Sequence, residues 1–163
     1  MENHMRVGVT GHMNLSEESV PLVAEAVRAH LSTLDISSLV GVSCLARGSD
    51  SVFAEVVIEV GGQLEVVLPS SNYREVKVKP DHAPQFDRLI GKASEVKTMP
   101  FDTPNRDAYV AANEAVLGTV DQLVAIWDGQ PSPDKGGTAG AVEEAQARGV
   151  DVKVIWPEGA TRS

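Results

Sequence analysis

The chain of 163 residues is about one domain long, and its 42% hydrophobic and 23% charged residues are ordinary for a soluble globular protein. No apolar run approaches the roughly 20 residues that cross a bilayer, so we expect no membrane partner and a cytoplasmic location. The formal net charge of −9 argues against a nucleic-acid partner, because phosphates would be repelled at long range.

The cysteine and histidine content gives no sign of a metal or cofactor. Cys44 is the single cysteine, so no internal disulfide forms, and the four histidines lack metal-ligand spacing. We therefore expect no metal and no cofactor. One domain over residues 1–163 is predicted, with flexible ends at about 1–4 and 158–163.

Strands and helices alternate in the first part of the chain. Met5–Gly11 is the first predicted strand, and apolar residues at helical spacing predict a helix over 16–33. The continuous apolar run at 39–46 is typical of a buried parallel strand. A helix at 51–61 and a third strand, QLEVVLPS, follow.

The pattern weakens after the third strand and then resumes. Residues 70–84 have no clear period, and the basic part at 73–79 is predicted to be a mobile flap. The remaining predicted elements are a short helix in PQFDRLIGKA, a strand in SEVKTMP, a helix from about Asn105, a strand at 121–129, a helix in GTAGAVEEAQARG and a strand in VDVKVIWP. This alternation predicts an α/β fold, Rossmann-like and doubly wound, with a mainly parallel sheet and helices on both faces.

Ligands in such sheets collect at the carboxyl ends of the strands. That rule brings together the loops TGHMN, LARGSD, LPSSNY and WDGQPSPDKGGT, which are rich in Gly, Ser, Thr, Asn or Asp. The predicted ligand-binding residues are Thr10, Gly11, His12, Arg47, Gly48, Ser49, Asp50, Pro69, Tyr73, Asp128, Gly129, Gly136, Gly137 and Thr138.

Two of these loops lead from a strand into a helix. At Gly136–Gly137–Thr138, successive backbone N–H groups can face a phosphate, and the helix dipole adds about 0.3–1 kcal/mol. The alternative is an ordinary turn with Thr138 as the N-cap. In RGSD, Arg47 offers a cation and Asp50 an acceptor for ribose hydroxyls. The alternative there is a capping role for Ser49 or Asp50 and a solvated Arg47.

The other candidates are single side chains that follow strands. His12 could donate to a ligand oxygen or act as an acid or base, although a loop histidine is more often an ordinary surface residue. Asp128 could accept from ribose hydroxyls or a base edge. Trp127 and Tyr73 could stack on a base, and core packing is the alternative for Trp127.

Taken in order, VGVTGH, LARGSD with AEVV after it, VVLP, and LVAIWDG with GGTAGAV resemble the Smf/DprA–LOG (SLOG) superfamily of Rossmann-like domains. The resemblance runs from Arg6 to Trp156 and is strongest to the small stand-alone members. It implies binding of a nucleotide or nucleotide-derived ligand. It also extends to LOG phosphoribohydrolases and nucleoside 2-deoxyribosyltransferases, which act on N-glycosidic bonds.

Those enzymes carry the pattern GTxxE, which here begins at Gly137 and places Ala141 at the glutamate position. Cleavage through an oxocarbenium-like transition state needs a carboxylate close to the anomeric carbon, and a methyl group cannot supply it. We therefore expect binding without catalysis. The alternative is an N-glycosidase or phosphoribohydrolase-like enzyme that uses Asp128, Asp50 or Glu114.

The helix from about Asn105 has apolar residues on more than one face, at Val110, Ala111, Ala115, Val116 and Leu117. A helix of this kind needs burial on more than one side, which a homo-oligomer provides. Core packing within one chain is the alternative. The expected partners are a small nucleotide-like ligand and further copies of the chain.

Overall fold

The computed structural model describes residues 5–131 and 137–163, so the flexible end expected at 1–4 lies outside the described residues. Strands and helices alternate along the described chain. The strands are β1 (Met5–Gly11), β2 (Leu39–Ser43), β3 (Gln63–Leu68), β4 (Glu95–Thr98), β5 (Gln122–Ile126) and β6 (Asp151–Ile155). The α-helices are α1 (Ser19–Leu31), α2 (Ser49–Glu59), α3 (Tyr73–Lys77), α4 (Ala83–Lys92), α5 (Arg106–Leu117) and α6 (Thr138–Ala147).

All six strands of the described chain form one parallel sheet in the order β4-β3-β2-β1-β5-β6. The predicted α/β, Rossmann-like fold is confirmed. The chain builds outward from β1 through β2, β3 and β4, and then returns to place β5 on the other side of β1. The connections after β1 and β5 therefore diverge, and this topological switch point is where doubly wound sheets bind ligands.

Helices cover both faces of the sheet, as its fully buried central strands require. On one face, Val23 and Val27 of α1 pack with Phe53 of α2 over β1 and β5. On the other face, Ala112 and Val116 of α5 pack against β2 and β3. With Ala108 and Leu117 also buried, most of the apolar side of α5 is used within one chain. Val116 and Leu117 are buried in the core, Ala111 and Ala115 are half-buried and Val110 is exposed, so self-association through this helix stays a prediction.

The segment at 73–79, which was predicted to be a mobile flap, begins with the short helix α3 over its first five residues. Tyr73 is buried, with its ring 6.3 Å from that of Phe86 in α4, and the mobility of the segment stays a prediction. This helix was not predicted, because the segment is polar and its apolar residues have no helical spacing. One buried aromatic residue, Tyr73, anchors it to the core.

Residues near the C-terminus, for which the sequence predicted flexible ends, fold back onto the loop after β1. Leu15 and Arg162 form an antiparallel bridge, and the Ser163 N–H donates to the Asn14 carbonyl at 2.7 Å. Thr161 joins the hydroxyls of Ser16 and Ser19. These bonds bring Arg162 next to the switch point.

In the described parts of the chain, every helix is too short or too polar to traverse a lipid bilayer.

Candidate functional site

A cavity of about 710 Å³ opens at the carboxyl ends of β1, β2, β3 and β5, next to the switch point. This volume is within the range of small-molecule sites. All four loops singled out in the sequence contribute to its wall. The predicted residues in the wall are Thr10, Gly11, His12, Arg47, Asp50, Pro69, Tyr73, Gly137 and Thr138.

Five other candidates stand apart from the cavity wall. Gly48, Ser49, Asp128 and Gly129 lie next to lining residues without contributing to the wall. Glu114 is exposed on α5, outside the wall. The remaining candidate, Gly136, lies outside the described residues.

Gly48 and Ser49 join the loop after β1 to the start of α2. Ser49 is fully buried, and its hydroxyl and N–H both donate to the His12 carbonyl, at 2.8 and 3.2 Å. Gly48 has a φ of +81°, and a Cβ there would stand 2.6 Å from the Met13 carbonyl oxygen. The close approach of two backbones explains the glycine. Ser49, a predicted ligand-binding residue, thus uses both of its donors to hold the two loops together.

His12 and Asp128 form a second link between loops. In the neutral imidazole, Nε2 accepts from the Asp128 N–H at 3.2 Å, and the Asp128 carboxylate lies 3.2 Å from the same nitrogen. Burial and the nearby Arg162 lower the pKa of His12, against the opposing effect of Asp128. Burial thus favours the neutral imidazole, which can accept from the Asp128 N–H.

The Asp128 carboxylate is committed to protein groups. It accepts from the Gln130 N–H at 3.0 Å and lies 3.6 Å from Arg162 NH1. Burial raises its pKa, but the Gln130 amide, His12 and Arg162 together outweigh burial and hold the pKa below its ordinary value. Asp128 is an anion at neutral pH that connects the loop after β5 to the C-terminal segment.

Asp50 is the candidate carboxylate that faces the cavity. It lies in the first turn of α2, and the Ala46 N–H donates to it at a long 3.4 Å. Burial raises the pKa of Asp50 to about 7, although the weak hydrogen bond from the Ala46 N–H lowers it. Burial and then the negative field of Asp50 raise the pKa of Cys44, while burial is the main cause of the raised pKa of Tyr73. This part of the wall is therefore weakly acidic and resists ionisation.

The start of α6 also faces the cavity. Gly137 is the N-cap residue, so Thr138 is not, and none of the described side chains caps the first turn. The first N–H groups of a helix have no partner within it, and their partial positive charge faces outward. Ala141, at the glutamate position of the GTxxE pattern, lines the cavity.

Sequence reasoning missed a large part of the wall. One side of α5 covers the cavity through Tyr109, Ala112 and Asn113, although this helix was interpreted as a self-association surface. Arg162 reaches the cavity only because the C-terminal segment folds back. Neither placement has a local sequence signal, since both depend on tertiary packing.

Cations gather at this cavity. Arg47, Lys77, Lys79 and Arg162 all line it, and they come from three separate parts of the chain. Arg47 is paired with Asp81, and its side chain remains 44% exposed. Arg162 lies 3.6 Å from Asp128, so Lys77 and Lys79 are the lining cations for which the described residues provide no ion pair. This cluster of cations contrasts with the net charge of −9 of the whole chain.

No protein-family model matches the chain, and no curated protein matches it. Among solved structures, DNA processing protein A (DprA) from Streptococcus pneumoniae has a TM-score of 0.70 and 21% identity, covering 93% of this chain and 50% of that one. DprA from Helicobacter pylori, described for its single-stranded DNA binding mode, has a TM-score of 0.68 and 15% identity, over 97% and 68%. The molybdenum cofactor binding protein from Rippkaea orientalis has a TM-score of 0.62 and 14% identity, over 97% and 80%.

At this identity the similarities establish the fold, and the predicted SLOG resemblance is confirmed at that level. The chain spans half the length of the pneumococcal protein. The expectation that nucleic acid is not a partner is wrong, because the H. pylori protein, which has this fold, binds single-stranded DNA. Net charge misled because charges beyond about 8–10 Å are screened at physiological salt, so nearby cations decide anion binding.

Proposed function

We propose that the chain binds a phosphorylated nucleotide, or a ligand derived from one, in the cavity at the switch point, without cleaving it. The observation that carries this proposal is the gathering of Arg47, Lys77, Lys79 and Arg162 around one cavity in an acidic chain. Cations in a partly enclosed, low-dielectric cleft attract an anion more strongly than they do on an open surface.

The start of α6 supplies a second kind of anion-binding group. Gly137 lacks the Cβ that would keep a phosphate from the backbone, and Thr138 adds a hydroxyl donor. Phosphates bind at such helix starts because unpaired N–H groups and the helix dipole act together. A ligand between this turn and the cationic side chains would have its charge neutralised from both sides.

Binding without cleavage follows from the carboxylates. Ala141 removes the acid that glycosidases of similar sequence use, Asp128 is committed to protein groups, and Glu114 is outside the cavity wall. Of the three alternative catalytic carboxylates, Asp50 alone faces the cavity. Among the described residues that line the cavity, Asp50 is the one carboxylate on which an N-glycosidase could rely.

A single-stranded nucleic acid is the second candidate ligand. The specific observation in its favour is that cations from separate segments line one cavity, which suits several phosphates in a row. The single-stranded DNA described for the H. pylori relative of the same fold supports this alternative.

Isothermal titration calorimetry with AMP, GMP, their nucleosides and an oligothymidylate tests both ligand classes. We expect each nucleotide to bind at least tenfold more tightly than its nucleoside, because its phosphate meets the cationic wall. Equal affinity for nucleotide and nucleoside would contradict the proposal. Affinity that rises with oligothymidylate length, with a steep salt dependence, would favour the nucleic-acid alternative.

Two charge-matched double variants locate the effect. Lys77→Ala with Lys79→Ala should weaken nucleotide binding, while Lys92→Ala with Lys97→Ala removes the same charge away from the cavity wall. If both double variants weakened nucleotide binding equally, the attraction for the nucleotide would come from the net charge of the chain and not from the cavity. Chromatography of the same mixtures tests for free base, and release above the uncatalysed background would make the protein an enzyme.

A further inference from the structure

The cavity has an acidic region as well as cationic ones. Asp50 faces it from the first turn of α2, beside Cys44 at the end of β2 and Tyr73 of α3. Tyr109 of α5 also lines the cavity, and it contributes to the raised pKa of Tyr73 after burial. Arg47, the cation closest in sequence, is paired with Asp81. A carboxyl group among weakly ionising neighbours is an unusual feature for a site that otherwise suits anions.

The Asp50 carboxyl group has acceptor capacity to spare. Among the described residues, its one donor is the Ala46 N–H at 3.4 Å, beyond the usual range for a good hydrogen bond. An ionised carboxylate has about four lone-pair sites. A ligand group that reaches this position therefore meets acceptors that are not used up by the protein.

We propose that Asp50 selects the base of the bound nucleotide by pairing with a heterocycle edge that carries two adjacent N–H donors, as guanine does and adenine does not. This proposal rests on the proposed function. Guanine presents N1–H and the 2-amino group side by side, which matches the two carboxylate oxygens. Adenine presents the N1 lone pair beside its amino group, and that lone pair repels a carboxylate. Hypoxanthine, with N1–H alone, lies between them.

The sheet provides a suitable span for such a ligand. Asp50 follows β2 and the start of α6 follows β5, with β1 between them in the sheet. At about 4.8 Å per strand, the carboxyl ends of β2 and β5 are about 10 Å apart. A nucleotide with its base at Asp50 would therefore extend its phosphate toward the switch point.

The ionisation of Asp50 gives the proposal a pH signature. Because its pKa is raised to about 7, the carboxylate that accepts from guanine becomes the major form only above that pH. Below it, the protonated carboxyl can donate to adenine N1 instead. Its titratable neighbours Cys44 and Tyr73 have pKa values raised chiefly by burial and further by Asp50, and they stay neutral over this range. The preference for guanine should therefore grow from pH 6 to pH 8.

Calorimetry with GMP, IMP and AMP at pH 8 tests the selection. For the parent we expect GMP to bind at least tenfold more tightly than AMP, with IMP between them. Asp50→Asn should remove that advantage and leave AMP within about threefold, because the amide presents one acceptor and one donor. Asp102→Asn, an exposed change outside the cavity wall, should leave the order intact.

The outcomes separate this proposal from the proposed function. Equal binding of GMP and AMP by the parent, or a GMP preference that survives Asp50→Asn, overturns base selection and leaves nucleotide binding standing. No binding of any of the three overturns both. If Asp50→Asn does not fold, the parent GMP-to-AMP affinity ratio at pH 6 and pH 8 decides, and a ratio independent of pH overturns the selection.

Discussion

Helices α2 and α6 both begin at a glycine in the turn that follows a strand, yet the two turns have different roles. Gly48 has a φ of +81°, and the Met13 carbonyl oxygen lies 2.6 Å from the position that a Cβ would take. Ser49, which follows it, is fully buried. Gly137 has extended backbone, with φ −80° and ψ −178°, and Thr138 after it lines the cavity. The first turn holds two loops together, and the second exposes backbone N–H groups to a ligand. A strand–glycine–helix pattern therefore predicts a turn, and the segment packed against it decides the turn's use.

The largest expected effect is on stability at the α2 turn. Gly48→Ala should lower the free energy of unfolding by about 3 kcal/mol or more, since a strained backbone costs about 1–3 kcal/mol and the collision with Met13 adds to it. Urea denaturation measures the loss. Gly129→Ala is the matched control, because Gly129 has a φ of +83° and no atom of the described residues lies within 4 Å of the position that its Cβ would take. Equal losses would mean that the contact between the two loops contributes nothing.

At the α6 turn, the large effect should be on binding. Gly137→Val fits the extended backbone, so we expect the free energy of unfolding to change by less than about 0.5 kcal/mol. Its side chain would stand between the α6 N–H groups and a phosphate. We expect nucleotide affinity to fall about 100-fold, or about 2.7 kcal/mol, in calorimetry. A variant that binds as well as the parent would remove this turn from the site.

The raised pKa of Asp50 makes the free energy of unfolding of the protein depend on pH. Its pKa is about 7 in the fold, against about 4 in an unfolded chain. Between these values the folded state keeps a proton that the unfolded state releases, so the free energy of unfolding falls as pH rises from about 4 to about 7. Three pKa units at about 1.4 kcal/mol each set an upper bound of about 4 kcal/mol on the loss from this group. Asp50→Asn should flatten that slope in urea titrations, whereas Asp102→Asn should keep it.

These two turns also show what could be predicted from the sequence. Hydrophobic runs and turn residues predicted every described strand, β1 with its observed bounds, because buried parallel strands have a strong local pattern. The strand-end rule then located the cavity. The use of Ser49 for packing, the cover from α5 and the return of Arg162 arise from contacts between residues distant in sequence. No local pattern carries that information.

A smaller effect on nucleotide binding is expected at Arg47, the exposed residue that precedes the α2 turn. Arg47→Ala should weaken nucleotide binding about fivefold and leave the nucleoside unchanged, because an exposed cation already paired with Asp81 contributes modestly. Arg74→Ala is the control, since Arg74 has a similar exposed pair with Asp87 but lies outside the cavity wall. Equal losses for nucleotide and nucleoside would make Arg47 a surface residue without a part in phosphate binding.

The smallest expected signal is a gain of chemistry at α6. Ala141 lies in the first turn and lines the cavity, so Ala141→Glu should place a carboxylate at the glutamate position of the GTxxE pattern. Glutamate is favoured in the first turn by the helix dipole, and the fold should survive the change. We expect slow release of free base from a bound nucleotide, detected by chromatography. The rate should be far below that of a natural enzyme, because the surrounding groups are not arranged to support the carboxylate.

Gln146→Glu adds the same charge on an exposed part of α6 and should release no base, and neither should the parent. If the parent itself cleaves nucleotides and Ala141→Glu has no effect or reduces the rate, the assignment of this helix position is wrong. Among the described carboxylates, Asp50 would then be the candidate for the catalytic residue, since Asp128 and Glu114 are outside the cavity wall. Asp50→Asn would abolish base release in that case, and the α2 turn would hold the chemistry as well as the packing.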